Sequence, residues 1–191
     1  MRFPSFVDEL PITGDALEYA AARHTGQHRS GDRAPFILHL LEVAQLLRGR
    51  DYPDEVVAAG VLHDVIEDAG VGQYEITRRF GPRVAELVGA VTEPSSEGSY
   101  GERKARLRDA ISRADPDAVA IYAADKVAKL RELRLVIATT PDYEPDQAQL
   151  DHYWSSLELL EDRDIATPFI RQLRFELEAL AMLPPDPAAS R

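Results

Sequence analysis

The stretch VLHDVIEDAGV, residues 61–71, gathers a histidine and three carboxylates at the end of an apolar helical pattern. At about 100° per residue, these four polar side chains share one face of the predicted helix, and apolar residues cover the rest. The four are His63, Asp64, Glu67 and Asp68. The last two stand at the predicted C-terminal end, where unpaired carbonyls make each carboxylate unfavourable by about 0.3–1 kcal/mol. The sequence therefore indicates that another group stabilises them.

A metal ion is one candidate for that group. The chain contains no cysteine, so any metal site must use His, Asp or Glu. Histidine nitrogen and aspartate oxygen are suitable ligands for Mn²⁺, Fe²⁺ or Zn²⁺, and His63 and Asp64 are adjacent on one rigid element. The same residues also fit a solvated acidic face with an incidental histidine. On this stretch alone, both interpretations stay open.

Two further residues have the chemistry of metal ligands. His39 lies in PFILHLLEVA between apolar neighbours, and Asp125 lies in the middle of the helical pattern AIYAADKVAKL, where aspartate is a poor helix former. Each has a simpler explanation: His39 fits a structural histidine at the edge of the core, and Asp125 fits an ion pair with Lys129 at i+4. Taken singly, neither residue establishes a site.

Composition limits the classes of function. The 191 residues carry a formal net charge of −11, which works against broad contact with a DNA or RNA duplex. A small anionic substrate stays compatible if a metal and local cations offset the field. The start MRFPSFVDEL lacks the layout of a secretory signal, and no stretch is apolar enough for a membrane span. We expect a cytoplasmic protein with one domain over residues 1–183 and a disordered tail over residues 184–191.

Helical periodicity dominates the chain, and no convincing alternating pattern predicts a strand. The sequence therefore predicts an all-α helical bundle. The predicted starts are Asp15 as a cap, Pro35 and Pro53 in first turns, and Asp115-Pro116 before a long helix. The helix that starts at Pro53 is predicted to continue through residue 68. Residues 93–101, rich in Ser, Gly and Glu, are predicted to form a mobile loop.

The order of these motifs resembles the HD superfamily of metal-dependent phosphohydrolases, in which a His, then His-Asp, then a distant Asp bind the metal. The resemblance is closer to the RelA/SpoT-type small alarmone hydrolases. Its segments are HTGQHRSGDRAPFILHLLEVA, AGVLHDVIEDAGV, ITRRFGPRVAELVGAVTEP, YGERKARLRDAI and AIYAADKVAKLREL. Together they span roughly residues 20 to 135, and they imply an HD-domain helical bundle.

The resemblance implies a role for each motif residue. The metal ligands would be His39, His63, Asp64 and Asp125, holding one divalent ion, with Mn²⁺ favoured and Fe²⁺ or Zn²⁺ as alternatives. The catalytic carboxylates would be Glu67 and Asp68, and the substrate-binding residues would be Arg29, Lys104, Tyr122 and Lys129, with Arg103 and Arg106 beside Lys104. Arg29 would lie at the substrate or fix the Glu67–Asp68 pair. The implied reaction is removal of the 3′-pyrophosphate from (p)ppGpp or a related alarmone nucleotide by a water held at the metal.

Three departures from the family pattern concern the substrate pocket. Lys129 replaces the usual Asn, Tyr122 replaces the usual Lys, and SGDRAPFI is one residue longer than its family counterpart. The nucleotide therefore stays open between guanosine alarmones, adenosine alarmones and another phosphorylated metabolite. Two alternatives remain: an HD phosphohydrolase of another nucleotide or metabolite, and a non-catalytic regulatory module of the antitoxin type. The sequence predicts neither the oligomeric state nor the native metal.

Overall fold

The structure, a computed structural model, describes residues 3–140, 143–163 and 167–182. In these ranges it contains ten α-helices, one short 3₁₀-helix (Ser5–Glu9) and no β-strand, which confirms the predicted all-α class. The α-helices are α1 (Pro11–Arg23), α2 (Ile37–Arg48), α3 (Asp54–Leu62), α4 (Val65–Ala69), α5 (Gln73–Phe80), α6 (Pro82–Val91), α7 (Tyr100–Ile111), α8 (Pro116–Thr139), α9 (Gln147–Arg163) and α10 (Thr167–Ala181).

Helix α8 is the central helix of the bundle. It packs against α2, α3, α6, α7, α9 and α10, and every residue from 118 to 128 is buried. Alanines at five of these eleven positions let the surrounding helices approach closely. Each large apolar side chain that is fully buried contributes about 1.5–3 kcal/mol, so this helix is strongly held in place. Asp125 is therefore fixed inside the core.

A glycine sets the close contact between α2 and α3. A Cβ atom at Gly60 would lie 2.4 Å from Leu47 Cδ1 and 3.3 Å from Val43 Cγ1. Because no side chain stands there, the two helices approach along this line. Their contact brings His39 on α2 beside His63 at the end of α3.

The start of α1 differs from the prediction. The helix begins at Pro11, so Asp15 lies inside it and is not its cap. The cap comes from α3: the Asp54 carboxylate accepts hydrogen bonds from the backbone N–H groups of Ile12 and Thr13, each at 2.9 Å. A cap supplied across forty residues of chain has no local sequence pattern, which is why the prediction was wrong.

The helix predicted from Pro53 through residue 68 is divided in two. Pro53 is the N-cap of α3, and α3 ends at Leu62. Asp64 has φ −97° and ψ −2°, a bridge conformation that interrupts the helix, and a new short helix starts at residue 65. Glu67 and Asp68 consequently lie in the first turn of α4. The prediction that one long helix continues to them was wrong; because α4 has a single turn that ends at Ala69, they lie near both of its ends, and the dipole penalty of a long helix does not apply.

Other predicted boundaries are closer to the structure. Asp115 caps α8 by accepting from the N–H of Asp117, and Pro116 is the first helical residue, as predicted. Pro35 precedes α2 by two residues and pairs with His28 in an isolated antiparallel bridge. The predicted boundary at residue 183 and the tail over 184–191 lie outside the described residues. Across the described part of the chain, we find no helix that is long and apolar enough to cross a membrane.

Candidate metal centre and active site

Three side chains from distant parts of the chain meet in the core. His39 comes from α2, His63 from the end of α3 and Asp125 from α8, and all three are buried. Their ligand atoms lie within 4.8 Å of one another. The two Nε2 atoms are 3.4 Å apart, and Asp125 Oδ1 lies 3.2 Å from His39 Nε2 and 3.4 Å from His63 Nε2. We call these three residues the ligand cluster.

The residues of the ligand cluster fit a divalent cation. His63 Nδ1 donates a hydrogen bond to the carbonyl of Gly60 at 2.8 Å, which leaves Nε2 as the nitrogen that faces the other two residues. Among the described residues, Asp125 Oδ1 is buried and makes no hydrogen bond of acceptable geometry, although its neighbours are close. Two imidazole nitrogens and a buried carboxylate oxygen at one point are the donor set of a divalent metal site.

Asp64, the fourth predicted ligand, lies beside the ligand cluster. Its Oδ2 is 3.1 Å from His63 Nε2 and 3.8 Å from Lys129 Nζ. It is not one of the three residues whose ligand atoms are mutually within 4.8 Å. The turn between α3 and α4 places it there, directly after His63.

The electrostatics of the centre favour bound cations. Burial disfavours the charged form of His63, but the carboxylates of Asp64 and Asp125 outweigh it and raise its pKa to about 10. Burial lowers the pKa of His39. The pKa of Asp125 is well below its usual value because Lys126 and Lys129 offset the cost of burial. Since metal ligation needs the imidazole lone pair, a proton on His63 and a divalent cation compete for the same atom.

The two predicted catalytic carboxylates are held by residues that the sequence analysis did not assign. Glu67 Oε1 accepts a hydrogen bond from the backbone N–H of Glu93 at 2.5 Å. Asp68 Oδ2 accepts from Gln27 Nε2 at 2.8 Å, and Gln27 Oε1 in turn accepts from His24 Nδ1 at 2.6 Å. His24 and Gln27 belong to the quoted motif HTGQ, which was the available signal. Although Glu67 reaches solvent, the partial burial of its carboxylate disfavours the charged form and raises its pKa.

A cavity of about 260 Å³ adjoins the ligand cluster, and His39 is part of its wall. Of the residues that the structure describes, Arg29 and Lys129 contribute cations to the lining and Glu132 contributes a carboxylate. Arg29 donates to Asp32 and lies 3.5 Å from Glu132 Oε2. The structure therefore brings Arg29 to the cavity, and Gln27, not Arg29, contacts the Glu67–Asp68 pair.

The remaining predicted substrate residues lie away from this cavity. Lys104 Nζ is 2.5 Å from Glu93 Oε1, and Arg103 Nε donates to Glu93 Oε2 at 3.0 Å, while Arg106 donates to the carbonyl of Glu97. These contacts tie the loop before α7 to that helix. Tyr122 is buried, with its hydroxyl 2.7 Å from Ser156 Oγ, and it does not line the cavity.

An all-α bundle that brings together a His, the His of a His-Asp pair and a distant Asp in its core, with the Asp of the pair beside them, is the arrangement of an HD domain. A family model described as HD domain matches residues 16–150, and the chain belongs to this family. HD domains bind divalent metal, and His39, His63 and Asp125 could form that site.

Within this family the chain is similar to proteins of the RelA/SpoT type. It is 33% identical over 132 residues to a probable GTP pyrophosphokinase of Mycobacterium leprae (strain TN), covering 66% of this chain and 16% of that protein. It is 30% identical over 134 residues to a guanosine-3′,5′-bis(diphosphate) 3′-pyrophosphohydrolase of Aquifex aeolicus (strain VF5), covering 69% of this chain and 19% of that protein. The chain thus spans less than a fifth of either relative.

Two solved structures share the fold. One is described as a metazoan ortholog of SpoT that hydrolyzes ppGpp; it matches with a TM-score of 0.77 and 24% identity over 96% of this chain and 100% of that chain. The other is a protein of Listeria monocytogenes EGD-e, with a TM-score of 0.65 and 27% identity over 74% of this chain and 92% of that chain. The first of these matches extends beyond the HD-domain segment to nearly the whole chain.

Proposed function

We propose that this protein is a metal-dependent pyrophosphohydrolase that removes the 3′-pyrophosphate from (p)ppGpp or a related alarmone nucleotide. The observation that carries the proposal is the convergence of His39, His63 and Asp125 beside a short helix that presents Glu67 and Asp68. The name of the Aquifex relative and the description of the metazoan structure state this reaction for those proteins. The chain has the same family's motifs and fold.

The ligand cluster would hold one divalent cation, with Asp64 as the fourth protein ligand. Mixed nitrogen and oxygen donors suit Mn²⁺, with Fe²⁺ or Zn²⁺ as alternatives. When bound, such a cation acidifies water and offsets negative charge on phosphoryl oxygens. Asp64 needs only a small side-chain movement, since its Oδ2 already lies 3.1 Å from His63 Nε2.

The protein's own carboxylates would handle the proton. Glu67 has a raised pKa, so its carboxylate is a better proton acceptor than an ordinary glutamate. The backbone N–H of Glu93 fixes one of its oxygens and leaves the other for a water molecule. Asp68, held by Gln27, would orient the same water or accept the proton next.

The cavity beside the ligand cluster would receive the small anionic nucleotide. Arg29 and Lys129 place positive charge on its wall, and guanidinium and ammonium groups bind phosphate. Lys104 does not line the cavity, and it would bind a phosphate that extends beyond the cavity after exchanging its contact with Glu93. Tyr122 is buried in the core with its hydroxyl bonded to Ser156, and it would not touch the nucleotide.

A manganese-supplemented panel of nucleotides with identification of the products tests this proposal. We expect ppGpp or a related alarmone to release pyrophosphate and leave GDP or its equivalent. Release of orthophosphate, or turnover confined to nucleoside mono- or triphosphates, would instead favour an HD phosphohydrolase of another substrate class. Bound metal with no turnover on any member of the panel would favour a non-catalytic regulatory module.

A further inference from the structure

The ammonium of Lys129 lies against both carboxylates of the metal centre. Its Nζ is 3.2 Å from Asp125 Oδ1 and 3.8 Å from Asp64 Oδ2. Asp125 Oδ1 is also the oxygen that lies 3.2 Å from His39 Nε2 in the ligand cluster. Lys129 therefore forms ion pairs with two predicted ligands, while Lys126 Nζ lies 2.6 Å from the other oxygen of Asp125.

A divalent cation at the ligand cluster would compete with Lys129 for these oxygens. Both are positive, and both would be within a few ångströms of Asp125 Oδ1. Repulsion between charges at this distance is several times stronger in a partly enclosed site than in bulk water. A divalent cation bound to the same oxygen would therefore repel the ammonium and weaken its ion pair with Asp125.

The cavity beside the ligand cluster has room for the Lys129 side chain in a second position. Its side chain is 32% exposed and is flexible, and it lines the cavity together with Gln149 and Tyr153. Within the described part of that lining, the carboxylate is that of Glu132, which already lies 3.5 Å from Arg29 Nε. Among the described residues of the lining, an ammonium that turned into the cavity would meet only this paired carboxylate, and an anionic group of a ligand would supply a further partner.

We propose that Lys129 is an exchangeable cation of this site. Together with Lys126 it offsets the charge of the carboxylates before a divalent cation binds, and afterwards it turns into the cavity and binds a phosphate group of the substrate. The part of the proposal that concerns the substrate rests on the proposed function. It narrows the possible substrates to nucleotides that place a phosphate group next to α8. The part that concerns the metal stands on the contacts of Lys129 alone.

Two substitutions test this proposal without any measurement of turnover. Lys129→Met and Lys129→Gln remove the competing charge, so we expect each to bind Mn²⁺ about tenfold more tightly in calorimetric titrations of the full chain. Inorganic phosphate, titrated into the manganese-loaded protein, should bind each variant about tenfold more weakly than it binds the unsubstituted chain. Lys129→Arg keeps the charge and should keep phosphate affinity within about threefold.

Arg131→Met is the matched control, because it removes a cation from the same helix that contacts Glu42 and Glu176 instead of the metal centre. It should change neither affinity by more than about twofold. The proposal is overturned if Lys129→Met and Lys129→Gln bind Mn²⁺ no more tightly than the unsubstituted chain, or if they retain full phosphate affinity. Pyrophosphate release from ppGpp by the unsubstituted chain tests the proposed function separately, so the two failures are distinguishable.

Discussion

Two buried histidines in this core have opposite electrostatic surroundings. His63 faces the carboxylates of Asp64 and Asp125, which raise its pKa to about 10 against the effect of burial. His152 on α9 is buried near Lys126, and burial together with the neighbouring cations lowers its pKa to about 2. The same residue type is thus suited to bind a cation in one place and to stay a neutral ring in the other.

The two histidines, His63 and His152, also differ in the polar groups that contact them. Arg108 Nη1 donates to His152 Nδ1 at 2.7 Å, and Ser156 Oγ donates to the His152 carbonyl at 2.7 Å. Tyr122 completes this second cluster through its hydroxyl, 2.7 Å from Ser156 Oγ. In the ligand cluster, by contrast, three atoms that can bind a metal face one another: the Nε2 atoms of both histidines and Asp125 Oδ1. The neighbours, more than the histidine itself, decide which cluster can hold a metal.

The largest expected effect is a loss of bound metal, which distinguishes His63 from His152. His63→Ala removes a nitrogen that faces the shared point, so bound divalent metal should fall from about one ion per chain to nearly none. His152→Gln, the matched change in the second cluster, should leave the metal content unchanged. Elemental analysis after purification with Mn²⁺ measures both, and a thermal melt checks the fold. Equal loss of metal in both variants would show that His63 and His152 do not differ in metal binding.

The next effect concerns the proton chemistry beside the ligand cluster. Glu67→Gln keeps an oxygen that can accept the N–H of Glu93 but removes the basic carboxylate. Turnover of the nucleotide identified by the panel should fall about 10²- to 10⁴-fold, with metal content intact. Glu86→Gln, an exposed glutamate on α6, serves as the control and should retain full activity. A Glu67→Gln enzyme as fast as its parent would show that another group moves the proton.

A smaller effect is expected at the residue that holds Asp68. Gln27→Met removes a hydrogen bond to a carboxylate, an interaction of about 1.5–3 kcal/mol, so kcat should fall about tenfold or more. Because Gln27 positions Asp68 without holding the metal, the Mn²⁺ affinity should not change and KM should change less than kcat. The exposed glutamine Gln45 on α2 offers the control Gln45→Met. A loss confined to KM would instead indicate that Gln27 binds substrate.

The smallest effect lies in the second cluster. Tyr122→Phe removes the hydroxyl bonded to Ser156 and should lower the free energy of unfolding by about 1 kcal/mol. Denaturant unfolding measures this change. Metal content and nucleotide KM should stay at their original values, because Tyr122 lines neither the ligand cluster nor the cavity. A marked rise in KM would instead show that Tyr122 contributes to substrate binding, as the family resemblance implied.

The fold class and the membership of the ligand cluster were within reach of the sequence. Helical periodicity predicted the all-α bundle, and the motif order singled out His39, His63, Asp64 and Asp125, of which the structure groups all but Asp64 within 4.8 Å. Helix starts with a local signal, such as Asp115 with its following proline, were also predicted correctly. These features depend on residues close together in the chain or on a pattern retained across a family.

The features that the sequence analysis missed depend on contacts between distant segments. The cap of α1 comes from Asp54, and the bond that holds Asp68 comes from Gln27, 41 residues away. The break after His63 also escaped prediction, because the surrounding valines and leucine fit one continuous helix. A periodic pattern reports which face is apolar, but it does not report where the backbone turns.

The sequence by itself determined which residue types are available: histidines within apolar patterns, paired carboxylates and lysines on one long helix. Only the tertiary structure decided their partners, because pairing depends on distances between α2, α3 and α8. It placed Lys129 on the carboxylates of the metal centre, Tyr122 inside the core and Arg29 on the cavity wall. Electrostatic interactions weaken with distance and exposure, so residues with similar chemistry in the sequence acquired different surroundings in the fold.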